Sequence, residues 1–262
     1  MSPEETRRFL DAVLQARQEA TPAELPAGFD GMNAAEAYLL QNQHVERVLS
    51  LIGGTVTGTK LGGSPQSIAA LGLAGPLRGP IFSALSWASP ATLRRDRMIV
   101  CIVEAEIGVR FGKDIGGTPQ PPATDELIDA IEAVLPALEV ADSRLAGWRT
   151  APPAAALADL SLAGGWVYGA PCGRWRELDL RSLPVHLSVN GSVVAEGNGG
   201  LPFGGPLEIL RTFIADLGRS GKLLKAGEVV STGSCTTPHL ASTGEHVAAD
   251  FGPLGQASID IT

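Results

Sequence analysis

Two glutamates separated by one residue, Glu104 and Glu106, lie in the otherwise apolar run Cys101-Ile-Val-Glu-Ala-Glu-Ile-Gly-Val-Arg-Phe111. As a β-strand this run places Cys101, Val103, Ala105, Ile107, Val109 and Phe111 on one face and both carboxylates on the other, roughly 7 Å apart. Sheltered from water, two such groups repel unless a proton or a cation neutralises them. A hard divalent ion such as Mg2+, Mn2+ or Ca2+ suits an all-oxygen donor set. A strand whose outer face is simply solvated fits the same pattern, and for this motif alone that reading carries more weight. Glu139 changes the balance, because Leu135-Pro-Ala-Leu138 precedes it and Val140-Ala141 follows it, an unusual setting for a solvated acid. Nearby, Asp142 and Arg144 are spaced for a local ion pair. Lys60 is the sole charge between Leu49 and Leu77. Desolvation there would lower its pKa and suit it to proton transfer; a lysine snorkelling to the surface is the alternative.

Other chemistries find little support. The chain has no P-loop, no dinucleotide fingerprint and no G-x-S-x-G elbow. His44, His186, His239 and His246 lack metal-ligand spacing, and only His239, in a Gly/Ser/Thr-rich loop, is a candidate to border a cleft. The formal charge of −8 argues against a nucleic-acid or anionic-membrane surface. Cys101, Cys172 and Cys235 form no C-x-x-C pair and fit a reducing cytoplasm. The N-terminus has no apolar signal-peptide core, and Gly, Pro or Ser interrupts each long uncharged stretch, so no membrane span is expected.

These candidates need a scaffold, and the 262 residues suffice for a large core. With 32 glycines and 19 prolines, turns must be numerous, which favours a strand-rich or mixed fold over a bundle. Ser2-Pro3-Glu4-Glu5 reads as a capping box opening an amphipathic helix, and Asn33 with Glu36 opens a second. Residues 1–52 are thus expected to form a helical segment and 53–262 a β-rich catalytic body, together one structural domain. Met98 to Phe111 reads as a strand and Thr124 to about Val134 as a helix. Strands follow at Ala137–Val140, Trp166–Tyr168, Val185–Val189 and Val193–Glu196, the last two joined by an Asn190-Gly191 hairpin turn. Pro206 starts a helix through Leu217, and three further β segments complete the chain.

Several segments, in order, resemble one family: Lys60-Leu-Gly-Gly-Ser64, Val103-Glu-Ala-Glu-Ile107, Phe111-Gly-Lys-Asp114, Ala137-Leu-Glu139-Val-Ala-Asp-Ser-Arg144 with Trp148, Val189-Asn-Gly191, Leu224 to Ser234, and Ala249-Asp-Phe-Gly252 with Leu254-Gly255. The pattern, covering nearly the whole chain, is similar to the 2-keto-4-pentenoate hydratase / 4-oxalocrotonate decarboxylase branch of the fumarylacetoacetate hydrolase superfamily. The resemblance implies an α+β fold, a mixed β-roll with barrel-like core preceded by helices. It implies Mg2+ or Mn2+ held by residues matching Glu104, Glu106 and Glu139, with Lys60 assisting proton transfer and Ser64 as a further site candidate. The implied reaction is hydration of a 2-hydroxypenta-2,4-dienoate-type 2-oxo acid. Decarboxylation of a 4-oxalocrotonate-type dicarboxylate is the runner-up, and a divergent tautomerase or C–C bond hydrolase and a non-catalytic partner subunit are further alternatives. A homo-oligomer is expected.

The chain also departs from that pattern. Pro76-Leu-Arg78-Gly79 carries a cation where relatives have an acid, and Asp159-Leu-Ser-Leu-Ala-Gly164 replaces an Asn and a Ser with leucines. Arg78 is therefore a candidate partner for a second substrate carboxylate, as bidentate geometry would allow, with a surface arginine as the alternative. The leucines predict a more apolar pocket edge.

Overall fold

Both N-terminal helices start where their capping residues put them. In the computed structural model, which describes residues 1–262, helix α1 spans Pro3–Glu19 and α2 spans Ala34–Ile52. Ser2 and Asn33 each accept from the backbone N–H three residues on, while Glu5 and Glu36 reach back to the cap N–H groups. The chain continues through β1 (Val56–Gly62), the short helix α3 (Pro65–Ala70), β2 (Leu77–Phe82), β3 (Ser86–Ala88), β4 (Ala91–Leu93), β5 (Ile102–Phe111) and β6 (Ile115–Gly116). Then come α4 (Thr124–Ala130), β7 (Ile131–Ala141), α5 (Pro153–Ala158), β8 (Ala163–Tyr168), β9 (Pro184–Val189), β10 (Ser192–Asn198) and α6 (Pro206–Gly218). The last elements are β11 (Leu223–Leu224), β12 (Val229–Ser234), β13 (His239–Leu240), β14 (His246–Asp250) and β15 (Gln256–Ile261).

Two mixed sheets result, in an α+β roll. The larger runs β2-β1-β12-β5-β7-β8-β3, with β13 beside β5; the smaller runs β10-β9-β14-β15-β4. Val103, Ala105, Ile107, Val109 and Phe111 alternate along β5 and are at most 1% exposed. They share an apolar cluster with Val185, Leu187, Val247, Ala249 and Ile259 of the smaller sheet. The opposite face of β5, carrying the glutamates, is thereby turned into the concave side of the larger, curled sheet. Asn190 (φ +50°) and Gly191 (φ +81°) close β9 to β10 as a two-residue turn with both central residues left-handed.

Strand β8 begins at Ala163, three residues before the expected Trp166, and β7 and β5 also begin elsewhere than expected. Helix α4 stops at Ala130 and the chain passes directly into β7. Nearly all of β7 is buried between β5 and β8, and in a strand covered on both faces the apolar residues run continuously, so Ile131 to Val134 has no helical period to distinguish it from strand. Strand β5 begins at Ile102 because Cys101 is left-handed, φ +59°.

A second apolar cluster joins Phe9, Leu10, Val13, Ala37 and Leu40 of the first two helices to Leu77, Leu145 and Leu157. Beside it Arg144, with a fully buried side chain, donates Nε to Asp159 Oδ1 (2.7 Å) and its backbone N–H to Oδ2 (2.8 Å). The expected Asp142–Arg144 pair does not form. Strand β7 ends at Ala141, so the two side chains diverge, and Asp142 accepts from the backbone N–H groups of Ile99 (2.9 Å) and Val100 (2.7 Å).

The Arg144–Asp159 pair braces an unusual turn. Leu160, Ser161 and Leu162 have φ of +59°, +51° and +64°, a conformation costing roughly 1–2 kcal/mol per non-glycine residue. Arg144 also donates to the carbonyls of Asp159 (2.6 Å) and Ala163 (3.0 Å), Asp142 N–H to Leu162 O (2.8 Å), and Ser161 Oγ to Arg78 O (2.9 Å). A Cβ on Gly79 would stand 2.4 Å from Leu160 O, so the turn rests against bare backbone. Replacing Arg144 by Met leaves Asp159 buried without its counter-charge. Urea unfolding is expected to show a loss of about 3–5 kcal/mol; a loss under 1 kcal/mol would mean that the pair does not brace this region.

Candidate metal centre and cleft

Strand register assembles the acidic cluster. Glu104 on β5 is directly opposite Glu139 on β7, and Glu106 opposite Ala137, so the three side chains share the concave face. One carboxylate oxygen from each lies within 4.8 Å of the others. Glu106 is 0% and Glu139 2% exposed, whereas Glu104 is half-buried and borders the cleft. Glu106 Oε2 accepts from Ser231 Oγ and from the Gly233 backbone N–H (3.1 Å), both on β12. Glu106 Oε1 is buried with no hydrogen-bond partner. The curl brings Lys60 of β1 against Glu139, to which its Nζ donates. A Cβ on Gly108 would stand 2.4 Å from Leu135 Cδ1 and 3.0 Å from the Trp166 ring, so the glycine leaves room for both side chains; the Trp166 Nε1 donates to Ser231 Oγ (3.2 Å).

At an effective dielectric of ~20, unit charges at the 4.8 Å limit repel by about 3–4 kcal/mol per pair. Three carboxylates against one ammonium leave the cluster at −2, so it takes up protons when no cation is present. Burial first, then the Glu139 charge, pushes the Glu104 carboxyl up to about 7, and burial with the Glu139 and Glu104 charges raises Glu106 well above the usual carboxylate range. A divalent cation balances the remaining charge, and the bare Glu106 Oε1 is an available donor for it. The residues present therefore fit a hard divalent ion.

The lysine behaves differently from the sequence expectation. Burial is the largest single influence on Lys60 and lowers its pKa, but Glu139, Glu104 and Glu106 together outweigh burial and hold it above the ordinary lysine value. The Lys60 run has no other charge in sequence, while the fold supplies three from β5 and β7.

Lys60, Glu104 and Glu139 line a cleft of about 590 Å³ whose other walls include Leu77, Leu162, Trp148 and Arg149. The pocket edge is apolar at Leu162, as expected, whereas Leu160 is buried in the core. Ser64 also lines the cleft, but its hydroxyl caps α3 by accepting from the Ser67 N–H. Arg78 does not line this cleft. It pairs across the strands with Leu61, while Gly79 pairs with Lys60, so alternation turns Arg78 to the opposite face of the sheet. There it donates to Asp216 of α6 (2.6 Å) and stacks on Tyr38. His239 pairs with Glu245 (2.8 Å) and is likewise absent from the cleft lining. Sequence reasoning assigned no role to Ser231, Gly233, Trp166 or Arg149; all but Trp166 lie in or beside quoted segments, and only the three-dimensional curl reveals what they face.

Comparison with known proteins bears on this arrangement. A family model described as fumarylacetoacetate (FAA) hydrolase C-terminal matches residues 88–262. A 2-keto-4-pentenoate hydratase of Paraburkholderia xenovorans is 32% identical over 236 residues, 89% of this chain and 86% of its own length. The chain belongs to the fumarylacetoacetate hydrolase family. Also similar is 4-oxalocrotonate decarboxylase of Pseudomonas putida, 27% identical over 228 residues, 87% of this chain and 85% of its own length. A solved structure of a 4-oxalocrotonate decarboxylase from Pseudomonas putida G7, complexed with magnesium and adipate, superposes with a TM-score of 0.87 at 25% identity, covering 100% of this chain and 99% of that one.

For this fumarylacetoacetate hydrolase family member, the raised carboxyls make a pH prediction. A group protonated more readily when folded stabilises the fold below its unfolded pKa, and that contribution is lost as pH rises through the folded value. In EDTA, the Tm is therefore expected to fall as pH rises from about 4.5 through 7, because Glu104 titrates near 7. Saturating Mg2+ should remove that decline, since bound metal replaces the protons. Differential scanning fluorimetry across this range tests it; the same slope with EDTA and with Mg2+ would contradict the cation reading.

Proposed function

We propose that this protein is a divalent-metal-dependent hydro-lyase acting on a small 2-oxo or 2-hydroxydienoic acid, with 2-hydroxypenta-2,4-dienoate as the main substrate reading. The observation that carries the proposal is the three-carboxylate set beside a buried lysine at the floor of a cleft. Similarity to 2-keto-4-pentenoate hydratases over most of the chain supports the reaction class.

In this reading Glu104, Glu106 and Glu139 hold Mg2+ or Mn2+. When bound, such an ion polarises the substrate's 2-oxo oxygen and lowers the cost of an enolate. Ser231 and the Gly233 N–H fix one oxygen of Glu106, leaving the other free to ligate. Lys60 Nζ, held as an ammonium on Glu139, donates the proton that arrives at C5 in ketonisation and is then reprotonated by the one that leaves the 2-hydroxyl. Water then adds across C3 and C4, with the hydroxyl on C4. Leu77 and Leu162 exclude bulk water from the cleft wall. The reading includes a cytoplasmic homo-oligomer, supported by three cysteines that form no disulfide and by exposed apolar side chains such as Val193, Val194 and Leu240.

Whole-chain likeness to 4-oxalocrotonate decarboxylase favours one second reading, in which the same electron sink takes up the electrons released with CO2. Incubation with Mg2+ and a panel of 2-hydroxydienoic acids separates the two. Loss of dienol absorbance without CO2 is expected; CO2 release selects the decarboxylase. Glu106→Gln should lower kcat about a thousandfold and abolish the Mg2+-dependent rise in Tm. Lys60→Met should lower kcat by about 10²–10⁴-fold and keep that rise. Failure of every acid to react with metal bound would overturn the proposal.

A further inference from the structure

One indole crosses the concave face beside the acidic cluster. Trp166 on β8 is directly opposite Glu139, which is directly opposite Glu104, so its side chain leaves the sheet on the side of the carboxylates. The ring is 4% exposed and packs in a cluster with Ile81, Leu135 and Ala137. It extends over Gly108, and its Nε1 donates to Ser231 Oγ (3.2 Å) on β12, a strand separated from β8 by β5 and β7.

An indole nitrogen only donates, whereas a serine hydroxyl has one proton and two lone pairs. Ser231, fully buried, therefore accepts from Trp166 and directs its single proton to Glu106 Oε2, which the Gly233 N–H also reaches (3.1 Å). A hydroxyl that accepts a hydrogen bond is polarised into a stronger donor. Oε2 thus has two donors and Oε1 none.

We infer that Trp166 is a positioning residue for the metal centre: acting through Ser231, it holds Glu106 so that a single oxygen is offered to the cation, which biases the site toward Mg2+ and against Ca2+. This rests on the metal-centre reading. Mg2+ is small and demands a near-ideal octahedron, which one fixed oxygen suits. Ca2+ takes up to about eight oxygens in a flexible shell, and gains from a carboxylate free to turn both of its oxygens inward. Trp166 touches neither ion nor substrate in this account. Its effect is on the orientation of a ligand, as is general for partners one step out from a metal.

The test titrates Mg2+ alone and Ca2+ alone into the full chain, stripped with EDTA and dialysed, by isothermal calorimetry. Trp166→Phe, which keeps an aromatic ring and removes the N–H, is expected to weaken Mg2+ about tenfold and Ca2+ less, lowering the preference for Mg2+ about fivefold. Ser231→Ala should lower it as much. Adding Trp166→Phe to Ser231→Ala should lower it no further, because the indole acts through that hydroxyl. The benzothienyl isostere of tryptophan at position 166, with a ring sulfur in place of the N–H, preserves the ring volume and should reproduce Trp166→Phe; it also serves if the smaller ring loosens the sheet. An unchanged preference in the isostere, whether or not both ions bind more weakly, would overturn the role of Trp166 while leaving the metal centre intact, as would a further fall in the double variant. If folded wild type binds neither ion, the metal-centre reading fails and this inference with it. Circular dichroism of each variant confirms that the comparison is made on folded protein.

Discussion

Mutual repulsion among three sheltered carboxylates is the constraint around which this protein is organised. Glu104, Glu106 and Glu139 are held together by the β5–β7 register, and no rearrangement of side chains within that register separates them. The surrounding residues moderate the repulsion without cancelling it. Lys60 contributes one positive charge, and Ser231 with the Gly233 N–H contributes two donors to Glu106. The rest must come from protons or a cation, so the site's charge state and the stability of the sheet are one thermodynamic quantity.

The two faces of the larger sheet divide the work. Its convex face is packed by the smaller sheet, and the alternating apolar residues of β5 give that face a single register. Slipping β5 by one residue would bury both Glu104 and Glu106 in the apolar core, so the core enforces the geometry of the acids. Two buried ion pairs then act differently. Arg144–Asp159 has its remaining donors satisfied by backbone carbonyls and serves as scaffolding. Lys60–Glu139 lines the cleft and leaves the adjacent acids short of positive charge.

Much of this was legible in the sequence because the informative residues are local. The E-x-E run, the apolar setting of Glu139, both capping boxes and the Asn190-Gly191 turn need only a period or a spacing to be read. What was not legible depends on partners distant along the chain. The pKa of Lys60 is set by acids at least 44 positions away, and burial alone gives the opposite direction. Arg78 looked suited to a substrate because its strand neighbours could not be seen; opposite Leu61 rather than Lys60, it faces α6. The α4–β7 junction was blurred because a fully buried strand loses the alternation that would separate it from a buried helix. Arg149 belongs to a loop with no periodicity, and its place in the cleft wall emerges only from the fold.

The left-handed run Leu160-Ser161-Leu162 also bears on how this enzyme can change over evolutionary time. Its backbone is fastened by groups outside the cleft: Asp142, Arg144, Gly79 and the Arg78 carbonyl. The side chain at position 162 is presented to the cleft from a mount fastened elsewhere, which at φ +64° admits exchange among side chains that are not β-branched. Exchange at this one position alters the wall that substrate meets while the mount stays in place. The lineage can therefore explore new substrates here by single replacements, whereas drift at Arg144 or Gly79, which touch no substrate, is the more dangerous kind.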